Sequence, residues 1–405
     1  MEFLYVKEQR DIRDILNEET KIYVDWSKKP EIDYKILADG YMRAGYLTLK
    51  EITESTHSNL KNDMWFLPGV YMMRQAIELL MKAGVAFKSS NKRELQDIFS
   101  KEKHNVKSLY EFYKKEYGND YLNTIEEEWL YKYIISIEEI DSKSDLFRYP
   151  FKDEFMKSYK DEALNIVQMS NSLMICYSTL NKMLYGKWFE ELELDFNIKP
   201  IFLQLASTAI GNCYLWESPW SDGFYKQVTG YSEVGAFLLS KFKETKDNML
   251  FYPIVFSMRN AIEIGLKRIL QMNMDNSIDE HLIRSKRNSH LLYKDLWKTI
   301  KPMLIHYNIE DYQDMSLLEL GEDYIKSLNS LDKNGDMFRY PCTFSNEYKF
   351  NNEEVDVENF FQYLMELFNF IEACSSWLSQ IKEYEDEFRR EYEYESYLEW
   401  QNEIY

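Results

Sequence analysis

Phe66-Leu-Pro-Gly-Val-Tyr-Met-Met-Arg-Gln-Ala-Ile-Glu-Leu-Leu-Met-Lys82 has a second copy 185 residues further on, Phe251-Tyr-Pro-Ile-Val-Phe-Ser-Met-Arg-Asn-Ala-Ile-Glu-Ile-Gly-Leu-Lys267. In each copy a proline stands six residues ahead of an arginine, Pro68 before Arg74 and Pro253 before Arg259. That spacing suits the first turn of a helix, where a missing N–H costs nothing. Glutamate and lysine follow the arginine at i+4 and i+8, giving Arg74, Glu78 and Lys82 in one copy and Arg259, Glu263 and Lys267 in the other. At helical periodicity the three charges form one narrow ribbon, flanked by Gln75 or Asn260. Met72, Met73, Ile77, Leu79, Leu80 and Met81 cover most of the remaining circumference. A helix apolar over so much of its surface belongs inside a bundle.

Other matched features fall into register around this pair. His104 and His290 are 186 residues apart, and Asp141-Ser-Lys-Ser-Asp-Leu-Phe-Arg-Tyr-Pro150 and Asp332-Lys-Asn-Gly-Asp-Met-Phe-Arg-Tyr-Pro341 are 191 apart. Slowly drifting offsets are the mark of an internal duplication. Four of the eight prolines are matched in this way, which chance would rarely produce. The expected organisation is a lead-in over residues 1–30, one helical repeat over 31–190, a second over 200–381, and an amphipathic acidic helix over 382–405. Within the first repeat, helices are expected over 32–54, 67–87, 106–117, 121–140 and 162–184. Within the second they are expected over 231–242, 253–270, a segment through Trp297, 317–331 and 355–381. Only 13 glycines accompany the prolines and strand-like alternation is hard to find, so the fold class is all-α.

Composition narrows the function. With 45% hydrophobic and 16% aromatic residues the chain can bury a substantial core. Its 69 acidic against 49 basic side chains argue against a broad nucleic-acid footprint, although a local site for RNA or a nucleotide stays open. Four cysteines without ligand spacing read as small reduced core residues, and no apolar run is long enough to span a membrane. A cytoplasmic location is expected from these features. No Gly-rich phosphate loop, zinc spacing or Gly-x-Ser-x-Gly elbow occurs, so no metal site or cofactor is expected.

Three constellations carry polar chemistry, each open to two readings. The Arg-Glu-Lys ribbon is either a set of wet i, i+4 pairs or a covered network, in which every charge must be partnered. Each Asp-x-x-x-Asp-x-Phe-Arg-Tyr-Pro segment is either a structural corner or an anion-binding loop. As a corner, its Arg148 or Arg339 needs a carboxylate close by, with Asp145 or Glu78 the candidates in the first copy and Asp336 or Glu263 in the second. His104 and His290, each just ahead of a helix, cap it or bond a neighbouring element, or act as a general acid or base.

The helix Arg74-Gln-Ala-Ile-Glu-Leu-Leu-Met-Lys82, the His104-Asn-Val turn and Arg148-Tyr-Pro150 together resemble the HEPN superfamily. The likeness recurs in the second copy, in Arg259 to Lys267, His290-Leu-Leu and Arg339-Tyr-Pro341. The resemblance implies bundles of four or five helices that pair, so that two copies in one chain would form an intramolecular pseudo-dimer. Many members of the family are metal-independent endoribonucleases with an Arg, four to six residues, then a His. Neither Arg148 nor Arg339 is followed by a His at that spacing. Arg284-Ser-Lys-Arg-Asn-Ser-His290 has the spacing, but it stands in a charged connection whose first-repeat counterpart lacks the arginine. Two functions therefore stay open. One is a binding or regulatory component, for example of a bacterial defence or toxin–antitoxin system, with a protein partner and with homo-oligomerisation undecided. The other is an endoribonuclease, for which His104, His290, Arg148 and Arg339 are the catalytic candidates.

Overall fold

The computed structural model describes residues 6, 10–54, 59–89, 92–118, 121–150, 153–189, 194–215, 224–272, 289–307, 315–343, 347–348 and 350–404. These residues are predominantly α-helical, and the fold is all-α. The chain groups into two compact units. The larger holds Arg10–Ile264 and Asn334–Leu364, and the smaller holds Met1–Gln9, Gly265–Lys333 and Met365–Tyr405.

In the larger unit the helices are α1 (Pro30–Glu54), α2 (Asn59–Lys88), α3 (Lys92–Glu102), α4 (Val106–Tyr117), α5 (Thr124–Asp141), α6 (Asp153–Tyr159), α7 (Ile166–Tyr185), α8 (Tyr225–Thr245) and the first part of α9 (Phe251–Met272). Asparagines start several of them. Asn105 caps α4 through Ser108 N, Asn165 caps α7 through Gln168 N, and Asn123 forms a reciprocal capping box with Glu126 at α5. Helix α7 ends on Gly186, whose left-handed φ of 71° is open to glycine at little cost. Among the described residues the structure also contains five short strands, which the sequence did not suggest. β1 (Lys21–Val24) pairs antiparallel with β5 (Glu353–Asp356), with Ile22 opposite Val355. The two-residue strands β2 (Ala163–Leu164), β3 (Leu205–Ala206) and β4 (Cys213–Tyr214) form a small sheet in the order β3-β2-β4. Strands of two to four residues are too short to show an alternation in sequence.

Helix α2 is buried along its whole middle, from Asn62 to Ala86. It begins nine residues before Pro68, so the expectation that this proline opens the helix is corrected: only Pro253 lies in a first turn. The two prolines nevertheless have one consequence in common. Neither can donate to the carbonyl four residues before it, which is Met64 in the first copy and Met249 in the second. Each of those carbonyl oxygens is closely approached by a glycine of the other repeat. A Cβ on Gly230 would lie 2.2 Å from Met64 O, and a Cβ on Gly40 would lie 2.8 Å from Met249 O. Gly45 makes a similar close crossing, where a Cβ would lie 2.7 Å from Gly69 O. The rings of Tyr71 and Phe256, which hold equivalent places in the duplicated sequence, stack with centroids 4.9 Å apart. Phe147 meets Phe66 edge-on, as Phe338 meets Phe251 in the second copy.

The smaller unit contains the end of α9, a π-helical turn at Leu292–Trp297, α10 (Lys298–Tyr307), α11 (Met315–Leu331) and most of α12 (Val357–Ile404). Its core includes Trp297 packed on Phe370, and Gly321 lies so close to the Phe370 ring that a Cβ would stand 2.3 Å from it. Tyr324 donates to Glu366 at 2.8 Å. The expected closing helix over 355–381 and terminal helix over 382–405 are one continuous helix of 48 residues. No glycine or proline occurs after Pro341, so nothing in the backbone chemistry ends the first part before the second begins. Among the described residues no helix is long and apolar enough to cross a membrane.

Candidate functional site

Of the polar residues singled out from the sequence, Arg74, Glu78, Lys82, His104, Arg259 and Glu263 lie on or against the buried middle of α2 and α9. Along α2 the ribbon is covered. Glu78 accepts from Arg74 Nη1 at 2.9 Å and from Lys82 Nζ at 2.8 Å, and all three side chains are 0–1% exposed. Arg74 Nη2 donates to the carbonyls of His104 at 3.0 Å and Asp141 at 3.3 Å. Its Nε faces Asp141 Oδ2 at 3.4 Å, an ion pair without hydrogen-bond geometry. The remaining capacity of Glu78 is taken by Tyr340, whose hydroxyl donates to Oε1 at 2.8 Å, and by the His104 ring, whose Nδ1 lies 3.1 Å away. Tyr340 also lies 3.1 Å from that ring nitrogen. Asp141 accepts from the backbone N–H groups of Asp145 and Leu146 and so ties the end of α5 to the turn after it.

The electrostatics follow from burial. Desolvation opposes the Glu78 carboxylate, but Lys82, His104 and Arg74 outweigh it and hold its pKa well below the usual glutamate range. Lys82 is not shifted in concert. Burial is the largest influence on it, Arg339 and Arg74 repel it, and its pKa is lowered although Glu78 attracts it. We take the ionised pair as the ground state, because the 2.8 Å contact is charge-assisted and the Lys82 ammonium also stands 4.5 Å over the Tyr340 ring. Burial pushes the Asp141 carboxyl up despite Arg74 and two backbone donors. Burial, followed by Glu78, raises Tyr340 well above the ordinary phenol value, so it stays a donor.

A second set of contacts repeats the first with the roles exchanged. Arg259 pairs with Glu263 as Arg74 pairs with Glu78. Tyr149, from the first Arg-Tyr-Pro corner, donates to Glu263 at 2.7 Å, as Tyr340, from the second, donates to Glu78. Asn260 donates to the Arg148 carbonyl at 3.3 Å, and Gln75 donates to the Arg339 carbonyl at 3.2 Å. Tyr231 donates to the Phe147 carbonyl at 3.2 Å, and Tyr41 donates to the Phe338 carbonyl at 2.9 Å. All of these residues belong to the larger unit. In each case the corner of one copy is bonded by helices of the other.

Several expectations are corrected here. The guanidinium of Arg148 does not pair with Asp145 or Glu78, and that of Arg339 does not pair with Asp336 or Glu263. The Asp145 and Asp336 carbonyls instead accept from the backbone N–H groups of Arg148 and Arg339, both at 3.1 Å, which closes each turn. The carboxylates reached from the corners are Glu263 and Glu78, and the tyrosines reach them. His104 does not cap α4, because Asn105 does; its ring bonds Glu78 and Tyr340 instead. His290 lies in the smaller unit, just before the π-helical turn, where Ser289 Oγ bonds Asp295 at 2.6 Å. The Arg284 to Asn288 stretch lies outside the described residues. Asp141, Gln75, Asn260, Tyr41, Tyr71 and Tyr231 were not singled out as site residues. The signal for most of them was the matched position alone, as for Gly40-Tyr41 and Gly230-Tyr231, each 190 residues from its counterpart.

Among the described residues no three His, Cys, Asp or Glu side chains converge on a point where a metal ion could sit. All four cysteines are buried thiols outside any disulfide. The sequence matches no family model, and neither the curated proteins nor the solved structures contain a match to it.

Proposed function

We propose that the chain is a cytoplasmic, HEPN-like binding or regulatory protein without ribonuclease activity, in which the two sequence repeats clasp each other as an intramolecular pseudo-dimer. The observation that carries the reading is the exchange of corners: Tyr340 bonded to Glu78 and Tyr149 bonded to Glu263, with Gln75 and Asn260 holding the opposite corner carbonyls. Reciprocal contacts of this kind, in which i meets j′ and j meets i′, are what a two-fold interface generates. The Tyr71–Phe256 stack of equivalent residues is what such an axis requires.

The same geometry favours binding over catalysis. Arg74, Glu78 and Lys82 are buried and bonded to one another, so none of the three lies within reach of a substrate proton. A protein partner suits the far end of α12, which exposes Tyr384, Phe388, Tyr392, Tyr394 and Trp400 among acidic residues. Regulation within a bacterial defence or toxin–antitoxin pair is the biological setting we favour. Incubation with tRNA and total RNA in EDTA tests the reading. No cleavage is expected, and cleavage that disappears in the His104→Ala, His290→Ala double variant would establish the ribonuclease alternative instead.

A further inference from the structure

Up to Leu378, α12 packs as an interior helix, with Phe370 and Leu378 each 4% exposed. Beyond that point the burial stops. Between Glu383 and Leu398 every side chain except that of Asp386 is exposed, the rings included: Tyr384 and Phe388 are 72% exposed, Tyr392 66% and Tyr394 64%. With Leu398 and Trp400 they form the densest run of exposed large apolar side chains among the described residues. Scattered singly, such residues are ordinary on a surface, but gathered on one helix they mark a contact surface. A helix owes most of its stability to the packing of an apolar face, and these rings stand in solvent.

Tyr384, Phe388 and Tyr392 follow at i, i+4 and i+8 and make one ridge. Glu387, Glu391 and Glu395 follow at the same interval and make a second, about 60° around the helix from the first. Each of these acids thus stands three residues from a ring. Seven acidic and two basic residues between Glu383 and Leu398 give the stretch a charge of −5, and Arg389 already faces Asp386 at 3.8 Å.

That charge selects among the surfaces that could cover the rings. A second copy of this chain would set −5 against −5, and nucleic acid or anionic lipid headgroups would be repelled in the same way. A cationic segment is attracted. Arginine suits both ridges at once, since its guanidinium stacks on an aromatic face while its N–H groups reach a carboxylate.

We propose that residues 383–398 of α12 dock a basic amphipathic helix of a partner protein, its apolar row against Tyr384, Phe388 and Tyr392 and its arginines or lysines against Glu387, Glu391 and Glu395. The inference rests on the reading of the chain as a protein-binding component and gives that partner a chemistry.

The test is fluorescence anisotropy of a labelled synthetic helix of about five turns, with leucine on one face and arginine on the other, titrated with the full chain at about 0.15 M salt. Saturable binding with a Kd of about 10 μM or tighter is expected. The same peptide with glutamate for arginine, or with serine for leucine, should bind about tenfold more weakly or worse. Tyr384→Gln, Phe388→Gln and Tyr392→Gln combined should weaken binding by about tenfold or more. Glu387→Gln, Glu391→Gln and Glu395→Gln combined should do the same and flatten the salt dependence. Glutamine keeps helix propensity at these exposed positions, so both variants should retain the wild-type circular dichroism spectrum. Should either lose helix, hydrogen exchange on the unaltered protein decides, with the peptide expected to slow exchange over 383–398. Replacement of the exposed acids Glu18, Glu54 and Glu128 by glutamine should leave binding unchanged, which separates this surface from the general pull of a chain of charge −20.

Absence of saturable binding up to about 100 μM overturns the proposal. So does equal binding of the serine peptide, or binding that only the Glu18, Glu54 and Glu128 replacements weaken. A dimer in sedimentation that the aromatic variant dissolves would assign the ridge to a second copy instead, and uptake onto phosphatidylcholine vesicles that the peptide does not displace would assign it to lipid. Cleavage of RNA would remove the regulatory reading, whereas failure to bind the peptide would remove only this docking surface.

Discussion

Replacement of Glu78 by alanine is expected to cost about 4 kcal/mol or more of folding stability, because it removes the shared acceptor of a buried network and leaves the Lys82 ammonium without its acid. Arg74 would keep Asp141, so the strain falls mainly on Lys82, Tyr340 and His104. Glu78→Gln preserves the shape and should still cost about 3 kcal/mol, since one amide oxygen cannot replace a carboxylate between two cations. The difference has a pH signature. The folded pKa of Glu78 is depressed below its ordinary value of 4.5, so the ionised group contributes stability above that pH and loses it as pH falls toward the folded pKa. The gap between wild type and Glu78→Gln in urea denaturation midpoint should therefore be widest near neutrality and narrow below about pH 4.5. A Glu78→Gln midpoint equal to wild type at pH 7 would mean that the network carries no net stability.

Gly230→Ala is the second large effect expected. The added methyl would stand 2.2 Å from the Met64 carbonyl oxygen, which is backbone and cannot rotate away, so α8 and α2 must separate. A cost of about 3 kcal/mol is expected, at the upper end for overpacking and well above the small helix-propensity gain of alanine over glycine. Gly40→Ala, with 2.8 Å to the Met249 carbonyl, should cost less, about 2 kcal/mol. At Gly265 the nearest atom is a methyl of Ile371 at 3.1 Å, which can give way, and the substitution there should be the mildest of the three. Denaturation midpoints in the order Gly265→Ala, Gly40→Ala, Gly230→Ala from highest to lowest would fit the proline-freed carbonyl geometry. A Gly230→Ala protein as stable as wild type would refute it.

Much of this arrangement was legible before the fold. The i, i+4 relation of Arg74 to Glu78 and of Glu78 to Lys82 is a property of any helix, and apolar residues on nearly every other side of α2 implied that the ribbon would be covered. The recurrence of Arg259 and Glu263 marked the second copy in the same way. What could not be read were contacts between residues far apart in the chain. Periodicity says that Tyr340 and Tyr149 are apolar rings beside an arginine, and it does not say that their hydroxyls reach glutamates in the opposite copy. It also suggested carboxylates for Arg148 and Arg339 where the fold supplies Asn260, Gly335 and aromatic faces. Pro68 misled because tertiary burial carries α2 through a residue that ordinarily marks a helix start, at the cost of one hydrogen bond. The grouping of Gly265–Lys333 with Met365–Tyr405 into a separate compact unit had no clear marker either, since two of its borders fall inside α9 and α12 and a third falls in the short turn after α11 rather than in a long linker.

Two double-mutant cycles test the exchange of corners most directly: Tyr340→Phe with Glu78→Gln, and Tyr149→Phe with Glu263→Gln, each followed by urea denaturation. Both pairs are partly buried hydrogen bonds to a carboxylate that join residues more than 110 positions apart, 262 in one case and 114 in the other. If each repeat locks the corner of the other, both cycles should return a coupling energy of about 1–2 kcal/mol. Effects that add within about 0.5 kcal/mol in both cycles would contradict the clasped pair.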